Sequence, residues 1–275
     1  MVSHHPNTPL PPPEEDNWST TSSDSLGSIS DLEPQTIDLT DGKFDAINAN
    51  LFNIVHYNVN SLLNKVEQVE AQARELGADI ICLTETKIND TTAESNYSIP
   101  GYNTEYRHRT SSGGGVLVYI KDSLPYVRMP KLESPKLEHV SIDVIVNKKR
   151  YCVNTVYRPP NNLAAEQQEF LSEMEMVLSK IRKHRCANSI LVGDFNYGSC
   201  YSAIPGLTPK PLDDKAPELF TQFGYTQLVD LPTRQVNLSC SLLDLIYVEK
   251  MDSVVLTALV PQCPIILELS SPSTL

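Results

Sequence analysis

The stretch that decides the fold is Ser189-Ile190-Leu191-Val192-Gly193-Asp194-Phe195-Asn196. It begins with an apolar, β-branched run that predicts a buried strand. Asp194 and Asn196 follow, two residues apart, so their side chains lie on one face of the chain. Ligands of α/β sheets gather beyond the carboxyl ends of the strands. A carboxylate and an amide at that place suit a metal-bound phosphate or an activated water.

Outward from this stretch, the hydrophobic pattern predicts many strands and few helices. The predicted strands are Leu51–Tyr57, Asp79–Leu83, Gly115–Ile120, Val140–Val146, Tyr151–Tyr157, Ser189–Val192, Ser241–Val248, Val254–Val260 and Ile265–Leu269, and helical stripes run from Leu62 to Leu76 and from Phe170 to Ile181. Asn147-Lys148-Lys149 joins two of the strands as a hairpin turn. This pattern predicts an α/β (α+β) domain in which two packed sheets are flanked by helices.

The acidity of the chain is concentrated at its beginning. Residues 1–48 hold nine Asp or Glu and one Lys, within a formal net charge of -12 for all 275 residues. Few apolar side chains are available there to offset the entropy of ordering, so we predict a disordered tail at 1–48 and a folded domain at 49–275. Ile37-Asp38-Leu39-Thr40-Asp41 resembles the motif that docks as an added strand on small ubiquitin-like modifiers. Such short patterns also arise often by chance in acidic tails.

Composition and cysteine spacing exclude several classes of protein. The six cysteines are far apart and form no Cys-x-x-Cys pair, so reduced thiols are favoured over a zinc site or a disulfide framework. The first residues have no apolar segment typical of a secretory signal, and no run approaches membrane-spanning length. We therefore predict an intracellular protein of the nucleus or cytoplasm that is neither secreted nor bound to a membrane.

Further candidate residues follow other predicted strands. Asn58 and Asn60 lie just beyond the first strand and Glu85 just beyond the second. Carboxylate and amide oxygens there would suit Mg²⁺ or Mn²⁺, although Glu85 alone would equally fit an exposed loop acid or a helix cap. Tyr157 closes a strand, either as a cleft residue or as an ordinary half-buried tyrosine. Asp244 is a charge within an apolar strand and needs a partner.

Taken in order, these motifs resemble the endonuclease/exonuclease/phosphatase superfamily. The similarity is closest to the apurinic-type endonuclease domain of non-LTR (LINE, jockey-like) retrotransposons. It spans roughly residues 50 to 270 and is carried by Tyr57–Leu62, Leu83–Thr86, Ile99–Tyr102, Gly113–Val116, Tyr157–Pro160, Gly193–Asn196, Leu231–Arg234 and Ser239–Tyr247. So many motifs in one order make the resemblance specific.

The resemblance implies a four-layered α/β sandwich that cleaves DNA phosphodiesters with Mg²⁺. It assigns metal binding to Glu85 with Asn58 and Asn60 beside it, phosphate binding to Tyr157 and Asn196 with Asn58, and the positioning or deprotonation of the attacking water to Asp194. Asp244 would orient a catalytic histidine, as an acid does in acid–histidine pairs.

The chain departs from this family at its last motif. Relatives have Ser-Asp-His, one further residue and then Pro-Ile, whereas this chain has Val260-Pro261-Gln262-Cys263-Pro264-Ile265. Pro261 thus replaces a metal-binding aspartate and Gln262 replaces the histidine, and a glutamine amide carries neither a proton nor a positive charge. None of the six histidines follows His184, so Asp244 is expected to lack its partner. His108 also stands where many relatives have an acid.

Three hypotheses follow from this departure. The favoured one is a retrotransposon-derived nuclease domain that is weak or inactive, because the loss of one general acid/base group costs about 10²–10⁴ in rate. The first alternative is an active Mg²⁺-dependent DNA endonuclease in which Gln262 and solvent substitute in part. The second alternative is a non-catalytic module that binds nucleic acid or protein through the retained cleft.

Overall fold

Two mixed β-sheets form the centre of the domain in the computed structural model, which describes residues 36–39, 51–160, 163–196, 200–202, 215–236, 239–259 and 265–270. Along the chain the elements are β1 (Thr36–Asp38), β2 (Phe52–Asn58), α1 (Val66–Glu75), β3 (Ile80–Thr84), β4 (Tyr102–Arg107), β5 (Val116–Lys121), β6 (Tyr126–Arg128), β7 (Glu138–Val146), β8 (Lys149–Tyr157), α2 (Ala164–Lys183), β9 (Asn188–Asp194), β10 (Cys200–Ser202), α3 (Ala216–Gln222), β11 (Thr226–Gln227), β12 (Arg234–Val236), β13 (Ser239–Ser241), β14 (Asp244–Val248), β15 (Val254–Leu259) and β16 (Ile265–Leu269).

The strand order brings two parallel pairs to the middle of the sheets. The larger sheet has the order β1-β15-β16-β2-β3-β5-β4 and the second sheet the order β11-β14-β9-β8-β7-β6. β2 is parallel to β3, and β8 is parallel to β9. Strands β10, β13 and β12 form a separate three-stranded sheet. The carboxyl ends of each parallel pair therefore lie together at one edge of their sheet, where ligands of such sheets gather.

Successive residues of a strand face opposite sides of its sheet, and this alternation gives the domain four layers. In β2, Ile54 belongs to the core shared with the six-stranded sheet, whereas Val55 packs in the cluster that contains Val69 and Ala73 of α1. Phe170 of α2 belongs to the same core as the six-stranded sheet. The prediction of two packed mixed sheets flanked by helices is therefore confirmed. None of the helices in the described part of the chain has both the length and the apolar composition that a bilayer crossing requires.

The predicted hairpin turn lies between β7 and β8. Asn147 and Lys148 are its two central residues, and both have left-handed backbone angles, with φ of 49° and 65°. Two consecutive left-handed residues match the right-handed twist of the flanking strands, which is why two-residue hairpins favour this geometry.

One segment assigned to the tail belongs to the larger sheet instead. β1 pairs in parallel with β15, and the side chain of Leu39 is buried. The Thr36 hydroxyl donates to the Leu228 carbonyl at 3.1 Å, and the Asp230 N–H donates to that hydroxyl at 3.0 Å. Local composition does not reveal such pairing, because the partners follow about 220 residues later in the sequence. The segment that resembles a modifier-binding motif is thus used within the domain as far as Leu39, while Thr40 and Asp41 lie outside the described residues.

Candidate active site

Four of the predicted site residues meet at the carboxyl ends of β2, β3, β8 and β9. Asn58 ends β2, Glu85 follows β3, Tyr157 ends β8 and Asp194 ends β9. The Asn58 amide nitrogen donates to Asp194 Oδ2 at 2.7 Å and to Glu85 Oε1 at 3.2 Å. The Tyr157 hydroxyl donates to the same Glu85 oxygen at 3.3 Å. A single amide thus connects carboxylates from the two sheets.

The backbone around Glu85 is held on both sides. Glu85 has a φ of 52°, a left-handed conformation that non-glycine residues adopt only when their surroundings enforce it. On one side the Ser61 N–H donates to the Glu85 carbonyl at 2.8 Å, and on the other the Thr86 N–H donates to the Gly115 carbonyl at 3.3 Å. A Cβ on Gly115 would lie 2.5 Å from Thr86 Oγ1, so only glycine permits this approach. The carboxylate is therefore presented by a fixed loop.

The carboxyl group of Asp194 has a strongly raised pKa. Burial, together with the nearby Asp244, raises its pKa to about 8, although the Asn58 amide opposes the shift. The two aspartates are direct partners in the β9–β14 ladder. Burial, with help from Glu85 and Asp194, also raises the pKa of Tyr157, so its hydroxyl stays a neutral donor. A carboxyl that titrates near neutral pH is suited to general-base work.

The Asp194 shift predicts how stability depends on pH. Because the folded-state pKa of about 8 lies above the unfolded value of 3.8, the folded state binds the proton more tightly. Stability should therefore decline as pH rises from 4 towards 8, by at most about 1.4 kcal/mol per pH unit from this group. Urea unfolding across that range, compared with Asp194→Asn, isolates the contribution. A native slope equal to that of Asp194→Asn would contradict the prediction.

Asn196 and Asn60 lie beside this cluster. The Asn196 N–H donates to Asp194 Oδ1 at 3.2 Å, and its side-chain amide donates to the Arg158 carbonyl at 2.7 Å. The Asn60 N–H donates to Asn58 Oδ1 at 3.1 Å. Lys87 donates to Asn60 Oδ1, and its Nζ lies 3.8 Å from Glu85 Oε2. The structure thus connects both asparagines to the cluster through hydrogen bonds.

Asp244 has an imidazole partner, so the expectation that it lacks one is wrong. His56 Nε2 lies 2.9 Å from Asp244 Oδ1, and both residues are buried. The Thr233 hydroxyl accepts the Asp244 N–H at 3.1 Å. Asp244 is also the first residue of β14, not an interior one as predicted. The histidine comes from β2 in the other sheet, which the spacing of motifs along the chain cannot indicate. Pro261 and Gln262 lie outside the described residues.

Sequence reasoning missed His56, Lys87 and Thr233. The available signal for His56 was a polar side chain inside the apolar run at 51–57, two residues before Asn58 and hence on the same face of the strand. His108, which the resemblance aligned with an acid of many relatives, stacks on Tyr106 with ring centroids 4.0 Å apart. Burial lowers the pKa of His108. Its surroundings are therefore aromatic.

The oxygen atoms of the cluster are of the kind that a hard divalent cation takes. Glu85 offers a carboxylate, and Asn58 and Asn60 offer amide oxygens. Among the described residues there is no group of three or more His, Cys, Asp or Glu side chains that would hold a metal. A cation bound by Glu85 would therefore depend on amide oxygens and water for its remaining ligands.

The same arrangement of sheets occurs in solved nuclease and phosphatase structures. The endonuclease domain of TRAS1, a telomere-specific non-LTR retrotransposon, superposes with a TM-score of 0.59 at 15% identity, over 80% of this chain and 98% of that one. The 3′ phosphatase NExo from Neisseria, solved with a product DNA hairpin, gives 0.61 at 16% identity over 80% and 100%. An AP endonuclease from Archaeoglobus fulgidus gives 0.58 at 16% over 80% and 100%.

Comparison with family models identifies the family of the chain. No curated protein sequence matches it significantly. Residues 55–270 match the model of the endonuclease/exonuclease/phosphatase family, a span that begins within β2, ends after β16 and includes the described residues of the candidate site. The chain therefore belongs to the endonuclease/exonuclease/phosphatase family.

Proposed function

We propose that the domain derives from a retrotransposon endonuclease, binds DNA phosphodiesters with Mg²⁺ or Mn²⁺, and cleaves them slowly. The observation that supports this most directly is the Asn58 amide between the carboxylates of Glu85 and Asp194, with the Tyr157 hydroxyl on Glu85. Two acids and neutral hydrogen-bond donors at the ends of parallel strands are suited to phosphate chemistry and have little purpose in a core.

Each side chain has a role that its contacts allow. Glu85 and Asn58 Oδ1 would hold the cation, with Asn60 beside them. When bound, such an ion neutralises phosphate charge and acidifies a water. Asp194, whose pKa is raised to about 8, would accept the proton of the attacking water. The second amide hydrogen of Asn196 is a donor for phosphate oxygens, and the Tyr157 hydroxyl would become one when Glu85 turns to the cation and releases it.

Slow cleavage is proposed because the family motif is degenerate at its last position. Pro261 and Gln262 stand where relatives have aspartate and histidine. A glutamine there supplies no proton to a leaving oxygen, and groups that act as one catalytic assembly fail together. DNA binding does not require the proton, so a module that binds without cutting is the second candidate. DNA as the ligand is supported by the Neisseria relative of the same fold, which was solved with a DNA hairpin.

Nicking of supercoiled plasmid tests this proposal. The native chain should nick slowly, with Mg²⁺ and not with EDTA. Glu85→Ala should lower the nicking rate by a factor of at least about 10², because the cation loses its carboxylate ligand. Glu175→Ala, an exposed acid on α2, is the matched control and should leave the rate unchanged.

Binding of a DNA hairpin, followed by fluorescence anisotropy, separates the two candidates. Hairpin binding that depends on Mg²⁺ and Asn58 without any nicking would favour the binding module. Nicking that persists in Glu85→Ala, or hairpin binding indifferent to Mg²⁺, would overturn the proposed function.

A further inference from the structure

His56 is held between two hydrogen-bond acceptors in the layer between the sheets. Its Nδ1 lies 3.0 Å from the Cys82 carbonyl oxygen, which only accepts, so Nδ1 carries a hydrogen. Nε2 lies 2.9 Å from Asp244 Oδ1, so this second hydrogen bond needs one more hydrogen, either on Nε2, which makes the ring an imidazolium, or on the Asp244 carboxyl. The ring is completely buried, and both nitrogens are engaged. His56 therefore cannot touch a substrate, and any effect on chemistry must pass through Asp244.

The pair is costly for a purely structural contact. Moving an imidazole and a carboxylate out of water costs free energy, whereas burying an apolar side chain of similar size does not. Buried ion pairs can therefore often be replaced by apolar side chains without loss of stability. Ile54, two residues earlier on the same face of β2, shows that this layer otherwise accepts aliphatic groups. Polar residues that break the local pattern concentrate at functional sites.

β2 contacts both aspartates of the candidate site. Asn58 donates to Asp194 Oδ2, and His56 holds Asp244 Oδ1. The two aspartates are themselves partners across the β9–β14 ladder. The Asp244 backbone is fixed by the Thr233 hydroxyl, so His56 completes the restraint by fixing the side chain. A change at His56 would therefore be transmitted to Asp194 and its Asn58 contact.

We propose that His56 is a positioning residue that holds the side chain of Asp244 from β2. In this arrangement Asp194 keeps its hydrogen bond with Asn58, which the proposed function makes a ligand of the cation that DNA binding requires. The inference rests on the proposed function and assigns to it a residue outside the family motif.

A matched pair of buried histidines tests the inference. His139 is equally buried and its Nε2 lies 3.2 Å from Asn154 Oδ1, on β7 and β8. In the full chain, affinity for a DNA hairpin would be measured with Mg²⁺ and with EDTA, together with the melting temperature. His56→Phe should weaken the Mg²⁺-dependent affinity about 10-fold. His139→Phe should lower the melting temperature while leaving that affinity within 2-fold of native. His56→Gln retains an amide donor for Asp244 and should recover most of the affinity.

The outcomes distinguish this inference from the proposed function. If His56→Phe and His139→Phe lose stability alike and keep native Mg²⁺-dependent affinity, the positioning role is wrong while the function stands. If Gln at position 56 is no better than Phe, the hydrogen bond to Asp244 is not what matters, and the inference also fails. If the native chain binds the hairpin equally with and without Mg²⁺, or if Glu85→Ala does not weaken binding, the proposed function fails and takes the inference with it.

Discussion

Gly193→Ala is expected to destabilise the domain by about 3 kcal/mol or more, a large share of the about 5–15 kcal/mol by which folded proteins are typically stable. Gly193 pairs with Val156 across β9 and β8. A Cβ at position 193 would lie 1.8 Å from the Val156 carbonyl oxygen and 2.8 Å from its carbonyl carbon. Both are backbone atoms in a central strand, so neither can rotate away as a side chain would. The two strands would have to separate.

The position of Gly193 connects this clash to the candidate site. The next pair in the same ladder is Tyr157 with Asp194, so separated strands would also displace the hydroxyl and the carboxylate. The glycine therefore serves the close approach of two strands whose ends carry site residues. Strand packing alone therefore explains why a glycine directly precedes Asp194.

Urea unfolding of Gly193→Ala against Gly113→Ala measures the effect. A Cβ at position 113 would meet no atom within 4 Å, so that variant should stay within about 0.5 kcal/mol of native. If Gly193→Ala unfolds at the same urea concentration as the native protein, β8 and β9 do not approach each other as closely as in the structure. A soluble variant with a melting temperature within 2 °C of native would lead to the same conclusion, since 1 kcal/mol corresponds to about 2–4 °C at this size.

Hydrophobic periodicity predicted the central strands because nearly all of their residues are buried. β2, β3, β5 and β9 have nearly continuous apolar runs, and each was located to within a residue or two. The edge strands were missed for the opposite reason. β4 is Tyr-Asn-Thr-Glu-Tyr-Arg and no residue in it is fully buried, so its pairing with β5 leaves no apolar signature. β1 was missed because only three residues pair and their partners are distant in sequence.

The candidate site was predictable where it depends on strand ends and not where it depends on sheet packing. Asn58, Glu85, Tyr157 and Asp194 each end or follow a predicted strand, so their convergence follows from topology. The contact between His56 and Asp244 joins β2 to β14, which belong to different sheets. Only the stacking of one sheet on the other brings these side chains together, and no local pattern encodes that stacking.

Restoring the family motif with Pro261→Asp and Gln262→His is expected to raise the nicking rate by about 10²–10⁴. Under the proposed function, the imidazole would supply a group that can give a proton to the leaving oxygen, which glutamine cannot do. The aspartate would supply an acidic metal ligand and with it charge neutralisation at the phosphate. Each single change should recover much less than the pair, because groups acting as one assembly are strongly non-additive. Plasmid nicking at saturating Mg²⁺ measures the gain.

Two further variants show whether the restored rate arises from the proposed site. Pro261→Asn with Gln262→Asn changes the same positions without adding a carboxylate or an imidazole, and it should nick no faster than native. Glu85→Ala added to the restored motif should remove the gain. A native chain that already nicks within 3-fold of the restored one would contradict the proposed impairment. In that case a group other than the buried His56 supplies the proton to the leaving oxygen, because His56 cannot reach a substrate. If the restored motif nicks faster and His56→Phe binds DNA more weakly with Mg²⁺, as expected, the two histidines have separate roles. The buried imidazole of His56 then holds the aspartates in place, and the imidazole introduced at position 262 moves the proton.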